Sequence, residues 1–128
     1  MRSAARGMAA LGVELDAVLT SPLVRCRQTA EIVCAELGGA PAEDPRLEPG
    51  MELAELADAL LRHPDARRVL VCGHQPDLSV VVAELTGGGV VEFKKGSLTV
   101  LDLDAPRAGG GRLRALYPPA TLRLLGGA

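Results

Sequence analysis

One stretch constrains the fold of this chain more than any other: Leu70-Val71-Cys72-Gly73-His74-Gln75-Pro76-Asp77. An apolar, β-branched run stops at a glycine, presents a histidine, and restarts as a helix with Pro76 near its first turn. That places an imidazole at the carboxyl end of a strand, beside the free N–H groups of a helix start. In open α/β sheets ligands bind at such ends, and helix N-termini favour anions. The only other histidine, His63, precedes Pro64 and Asp65 and reads as a turn.

A second corner has the same form: Val18-Leu19-Thr20-Ser21-Pro22-Leu23-Val24-Arg25. Ser21 reads as the N-cap of the following helix and Pro22 as its first residue. If the two strands are parallel neighbours, both helix starts lie on one sheet edge. Arg25 and His74 then make a phosphate site: a guanidinium fork matches two phosphate oxygens, and an imidazole meets a third. Taken singly, each has a plainer reading, Arg25 as a solvated helix charge and His74 as a capping or packing residue.

The remaining pattern supports an α/β fold. Ser3 to Leu11 reads as a helix ended by Gly12, and Ala17 to Thr20 as a buried strand. Leu23 to Leu37 is a helix stopped by Gly38-Gly39. Ala40 to Gly50 is a loop, and Glu52 to Arg62 an amphipathic helix. Arg68 to Cys72 is apolar throughout, as a central parallel strand would be, and Asp77 to Leu85 is its helix. Val90 to Phe93, Ser97 to Leu103 and Leu113 to Tyr117 are strand-like, with short glycine connections that suggest hairpins. Pro118-Pro119 closes the last strand.

The chain of 128 residues is 48% hydrophobic, with Phe93 and Tyr117 its only aromatic residues, so the core is aliphatic. A formal net charge of −2 gives no general affinity for nucleic acid or an anionic membrane surface. Cys26, Cys34 and Cys72 lack metal-ligand or disulfide spacing and read as reduced, buried thiols. No metal constellation is visible, and no apolar run is long enough to span a membrane. With no signal-peptide core, a soluble cytoplasmic protein is expected.

Other candidates carry less. Lys94-Lys95-Gly96-Ser97 lacks P-loop spacing and reads as a hairpin turn. Glu48, in a loop, is a candidate proton donor or a solvated charge. Arg27 reads as a surface residue, and Gln28 and Thr29 as locally bonded.

Ser21-Pro22-Leu23-Val24-Arg25-Cys26-Arg27-Gln28-Thr29-Ala30 resembles the Ser-Pro-x-x-Arg-Ala-x-Gln-Thr-Ala segment of the histidine phosphatase (phosphoglycerate mutase-like) superfamily. Gly73-His74-Gln75-Pro76 resembles its Gly-His-x-Pro segment. Lys94 to Leu98 and Leu116 to Pro119 look like the tail of its small SixA-type phosphohistidine phosphatase branch. The resemblance implies a three-layer α/β/α sandwich, with a mostly parallel sheet and antiparallel edge strands, over residues 1–128 as one domain. It implies a hydrolase without a cofactor, in which a histidine attacks phosphorus and water then hydrolyses the phosphohistidine. Arg25 would be one phosphate-binding arginine and His74 the second, catalytic histidine. The partner would be a phosphorylated small molecule or a phosphohistidine protein.

The family's opening Arg-His-Gly strand, and the Arg-Pro-Leu-Thr loop after it, have no counterpart here. The resemblance therefore implies an N-terminally truncated domain without the nucleophile, the other arginine or the first central strand. Each buried backbone group left unpaired costs about 1–3 kcal/mol, against a total stability of about 5–15 kcal/mol. Residues upstream, a rearranged sheet or a strand from a second copy would each answer that cost. Negligible phosphatase turnover is expected of the chain as it stands. A non-catalytic phosphate- or phosphoprotein-binding module is the alternative, and a purely structural domain the third reading. Neither substrate nor oligomeric state is legible.

Overall fold

The structure is a computed structural model and describes residues 1–127. Its helices are α1 (Arg2–Ala10), α2 (Val24–Leu37), α3 (Leu53–Leu61), α4 (Asp77–Leu85) and α5 (Pro119–Leu125). Its strands are β1 (Ala17–Thr20), β2 (Pro41–Glu43), β3 (Val69–Cys72), β4 (Leu98–Leu103) and β5 (Gly111–Tyr117). A 3-10 turn over Pro45–Leu47 follows β2.

Three strands form a parallel sheet in the order β2-β1-β3. Alternation along them divides the core. Leu19, Val69 and Val71 face α3 and α4, packing with Leu47, Met51, Leu56, Ala59, Val81 and Leu85. Val18, Leu70 and Cys72 face α2, against Ala30 and Cys34. Leu70 also reaches a cluster built by Ala4, Ala5 and Met8 of α1, Val33 of α2, Leu98 of β4 and Leu122 of α5. Helices thus cover both faces, as the α/β expectation requires.

Several expectations need correction. The segment from Ala40 to Gly50 is not all loop: Pro41–Glu43 pairs with Val18–Thr20 as β2. Proline has no N–H to give a ladder, so it is tolerated here at the first residue of a strand on the sheet edge. Val90 to Phe93 forms no strand. Gly87, Gly88 and Gly89 lead out of α4 into irregular chain, and Lys94 to Ser97 turns into β4 without closing a hairpin. Past Pro118 the chain goes on as α5, with Pro119 in its first turn.

β3 was expected to be central. Among the described residues it pairs only with β1, and all four of its residues are partly exposed. β4 and β5 form a separate antiparallel pair, with a register shift between Val100 and Leu101. The antiparallel strands are therefore not the edge of the parallel sheet. They share a side-chain cluster with it through Leu70, Leu98 and Val100, without backbone bonds from β3 to β4. The sheet does not close by rearrangement: β3 and β4 each keep an edge with no strand partner among the described residues.

The closest helix contact is α1 on α5. Gly7 lies so near the backbone of Leu122 that a Cβ would strike its carbonyl. Alanine is normally favoured over glycine in a helix by about 0.8–1.0 kcal/mol. Here overpacking should reverse the sign, and Gly7→Ala should lower stability by about 1–3 kcal/mol in urea unfolding. A variant as stable as the parent would contradict this docking.

Candidate anion site at two strand ends

β1 and β3 run parallel with Thr20 opposite Cys72. They end together, and the Ser21 N–H donates to the Cys72 carbonyl at 3.0 Å. Both chains then turn into helices on one edge. That register brings the two corners singled out in the sequence to the same edge of the sheet.

At its centre, His74 Nε2 lies 2.9 Å from Ser21 Oγ. Ser21 is fully buried. Its role differs from the N-cap expected: α2 starts at Val24 with Leu23 as its cap. Pro22 lies before the helix, and Ser21 Oγ accepts the Leu23 N–H at 3.3 Å within that turn. The serine's pairing with His74 was not legible in the sequence, because the histidine lies 53 positions away, in the turn after β3.

Cys26, in the first turn of α2, is the other residue the sequence did not single out. Its thiol donates to the Gly73 carbonyl at 3.3 Å. The sulfur lies 3.6 Å from His74 Nε2 and 3.9 Å from Nδ1. It stands where the resembling motif has alanine, and that departure was the available signal. Burial pushes the Cys26 thiol up, an effect the Ser21 hydroxyl opposes.

Arg25 sits between Val24 and Cys26 at this corner and is exposed. Among the described residues it has no carboxylate within ion-pair distance. Arg27, two residues on, bridges Glu31 and Glu43, both at 3.6 Å, and is the surface residue expected. Arg46 pairs with Asp44.

Two tethers shape the rim. Gln75 Nε2 donates to the Phe93 carbonyl at 2.9 Å, while its Oε1 accepts from Ser79 N and Oγ. Asp77 Oδ2 accepts the Gly50 N–H at 2.7 Å, holding the loop that carries Glu48 beside the start of α4. Glu48 is exposed, and no hydrogen bond joins it to Ser21 or His74 among the described residues. His63 is not part of this site. It lies in the turn before β3, at the opposite end of a four-residue strand, about 13 Å along the sheet at ~3.3 Å per residue.

A groove of about 600 Å³ lies next to the corner, lined by Glu52, Asp77 and Glu84 among others. Its three carboxylates repel anions, so the groove does not serve the corner's chemistry. Lys94 lines a different groove with Arg123, Pro118 and Pro119. Among the described residues no three His, Cys, Asp or Glu side chains converge as a metal set, and no helix is long and apolar enough to cross a membrane.

The three cysteines are free. Burial pushes the Cys72 thiol up to about 12, with the neighbouring thiols of Cys26 and Cys34 adding to it. The thiolate is the reactive form, so at pH 8 Cys72 should be alkylated on the order of a thousand-fold more slowly than a free cysteine. Mass-resolved iodoacetamide kinetics would show it; labelling at the free-thiol rate would contradict the packing of β3 on α2.

Comparison with known proteins agrees with this geometry. Residues 1–49 match the histidine phosphatase superfamily (branch 1), a span that includes Ser21, Arg25 and Cys26. An uncharacterized protein of Picosynechococcus sp. is 40% identical over 112 residues, 82% of this chain; the chain spans 64% of that relative's length. The fold superposes on the protein histidine phosphatase SixA complexed with tungstate, with a TM-score of 0.82 and 28% identity, over 94% of this chain and 80% of that one. A candidate phosphohistidine phosphatase SixA from Agrobacterium tumefaciens gives 0.72 and 19% identity, over 92% of this chain and 77% of that one, a likeness of fold. Residues 1–49 thus carry the sequence pattern of the histidine phosphatase superfamily, and the fold as a whole is similar to that of SixA.

Proposed function

We propose that this chain supplies the phosphoryl-holding part of a phosphatase acting on a phosphohistidine protein or a small phosphomonoester. In this reading the reaction passes through a phosphohistidine, Arg25 and His74 hold the phosphoryl group, and the attacking histidine is not among these 128 residues. The observation that carries it is the shared end of β1 and β3. Their register places His74 against Ser21 and Cys26, with an unpaired arginine next in sequence.

The chemistry suits the reading. Phosphoryl transfer depends on positioning and on stabilising charge at the equatorial oxygens. A guanidinium without a carboxylate partner is available to bind an oxyanion in two places at once. The start of α4 adds a favourable dipole, while its Leu78 and Ser79 N–H groups are already taken by the His74 carbonyl and Gln75 Oε1. His63, at the far end of β3, cannot reach a phosphoryl group held at His74. Glu48 is the proposed proton donor to the leaving group, from the loop that Asp77 tethers.

The non-catalytic reading is favoured by one observation: no second imidazole stands at this corner. Two measurements separate the readings. Orthophosphate at 100 times its Kd should stabilise the chain by about 2.7 kcal/mol. Arg25→Ala should weaken that binding roughly 10- to 100-fold, the loss expected for a charged hydrogen-bond pair. Turnover of p-nitrophenyl phosphate should be negligible. Robust turnover abolished by His74→Ala alone would overturn the assignment of the nucleophile. No stabilisation by phosphate or a phosphopeptide would leave only a structural role.

A further inference from the structure

We propose that Ser21 is a positioning residue that sets the tautomer of His74. Its hydroxyl donates to Nε2 and holds the neutral ring in the Nδ1–H form, so that Nδ1 carries the hydrogen offered to an anion. The consequence for phosphate rests on the functional reading above; the tautomer does not.

Each hydrogen of this part-buried cluster has one best place to go. A hydroxyl has one hydrogen to give and two lone pairs, and buried polar groups are almost always satisfied. One lone pair of Ser21 Oγ takes the Leu23 N–H at 3.3 Å. Thr20 Oγ1 is already committed to the Ser21 carbonyl at 2.9 Å, so it does not compete for the hydroxyl. Two acceptors remain beside Ser21: His74 Nε2 at 2.9 Å, and the sulfur of Cys26. Sulfur is a weak acceptor, while an unprotonated imidazole nitrogen is a good one. The hydroxyl hydrogen therefore goes to Nε2. The reverse arrangement, with Nε2–H donating to Oγ, would leave the hydroxyl hydrogen with sulfur alone.

Cys26 fixes the other variable, the position of the ring. Its own hydrogen goes to the Gly73 carbonyl, and its sulfur lies against both ring nitrogens. Strand end, thiol and ring are thereby held together. Among the described residues Nδ1 has no hydrogen-bond partner except this sulfur at 3.9 Å. Which ring nitrogen carries the hydrogen is set by the bond the other makes. With Nε2 occupied by the serine, the hydrogen sits on Nδ1, and His74 donates to an oxyanion without first being protonated.

Two-bond proton–nitrogen correlation spectra of protein labelled with nitrogen-15 histidine read the tautomer directly. At the high-pH end of the titration His74 should show hydrogen on Nδ1, with His63 as the internal reference. Ser21→Ala should move it to Nε2, and orthophosphate affinity should fall roughly ten-fold. Cys26→Ala, which keeps the hydroxyl, should retain the Nδ1–H form. Arg25→Ala should weaken phosphate binding by the roughly 10- to 100-fold given above with no change of tautomer, which separates failure of the functional reading from failure of this one. A parent His74 carrying its hydrogen on Nε2 overturns the proposal, as does an unchanged tautomer in a folded Ser21→Ala. Should that variant not fold, the parent spectrum alone decides.

Discussion

The parallel pairing of β1 with β3 is the constraint on which the candidate site depends. Thr20 stands opposite Cys72, so the two strands end at the same level and Ser21 bonds back to the neighbouring strand. A slip of one residue would turn Leu19 away from α3 and α4 and move Val18 and Thr20 off α2. It would also part Ser21 from His74. The other end of the pair is fixed by Asp16, whose carboxylate accepts the N–H groups of Arg67 and Arg68, both at 2.9 Å. Those backbone bonds, Arg68 first, lower its pKa below the ordinary carboxylate value. Its contribution is present above the unfolded value and is lost as pH falls through the lowered folded one. A surface carboxylate at one sheet edge thus helps to set the register that builds the opposite edge.

Arg25 has no carboxylate within ion-pair distance among the described residues, as is also true of Arg62 and Arg67, whereas five other arginines are paired. Arg27, Arg46, Arg68, Arg112 and Arg114 each have a carboxylate within ion-pair distance. Most of these are exposed pairs of the kind that contribute about 0–1 kcal/mol. They change stability little, but they occupy their guanidinium groups. Arg25, on the first turn of α2, is exposed and makes no such pair among the described residues. The imidazole at the same strand ends is held by a buried hydroxyl and thiol.

The local elements of the site were legible in the residues because each obeys a local rule. The apolar runs end at glycine or serine, Pro22 and Pro76 precede their helices by one or two residues, and α3 has helical apolar spacing and a capping box from Glu52 and Glu55. What was not legible depends on distant partners. β2 is three residues containing a proline, and only the edge of β1 makes it a strand. Val90 to Phe93 has strand-forming residues but no strand to pair with, and its carbonyl at Phe93 goes to Gln75 instead. β3 has the composition of a central strand and lies beside one neighbour. Ser21 looked like a cap because serine before a helix usually is one; its hydroxyl is directed by a residue from the other corner.

The central claim is that two strand ends make one oxyanion site. Diffraction from crystals grown with tungstate tests it most directly, since tungsten scatters strongly enough to be located without prior assumption. Tungstate should sit at the joint corner, contacted by Arg25 and by His74 Nδ1. Tungstate bound only elsewhere, such as at Lys94 and Arg123, or absent from the corner at saturating concentration, would contradict it.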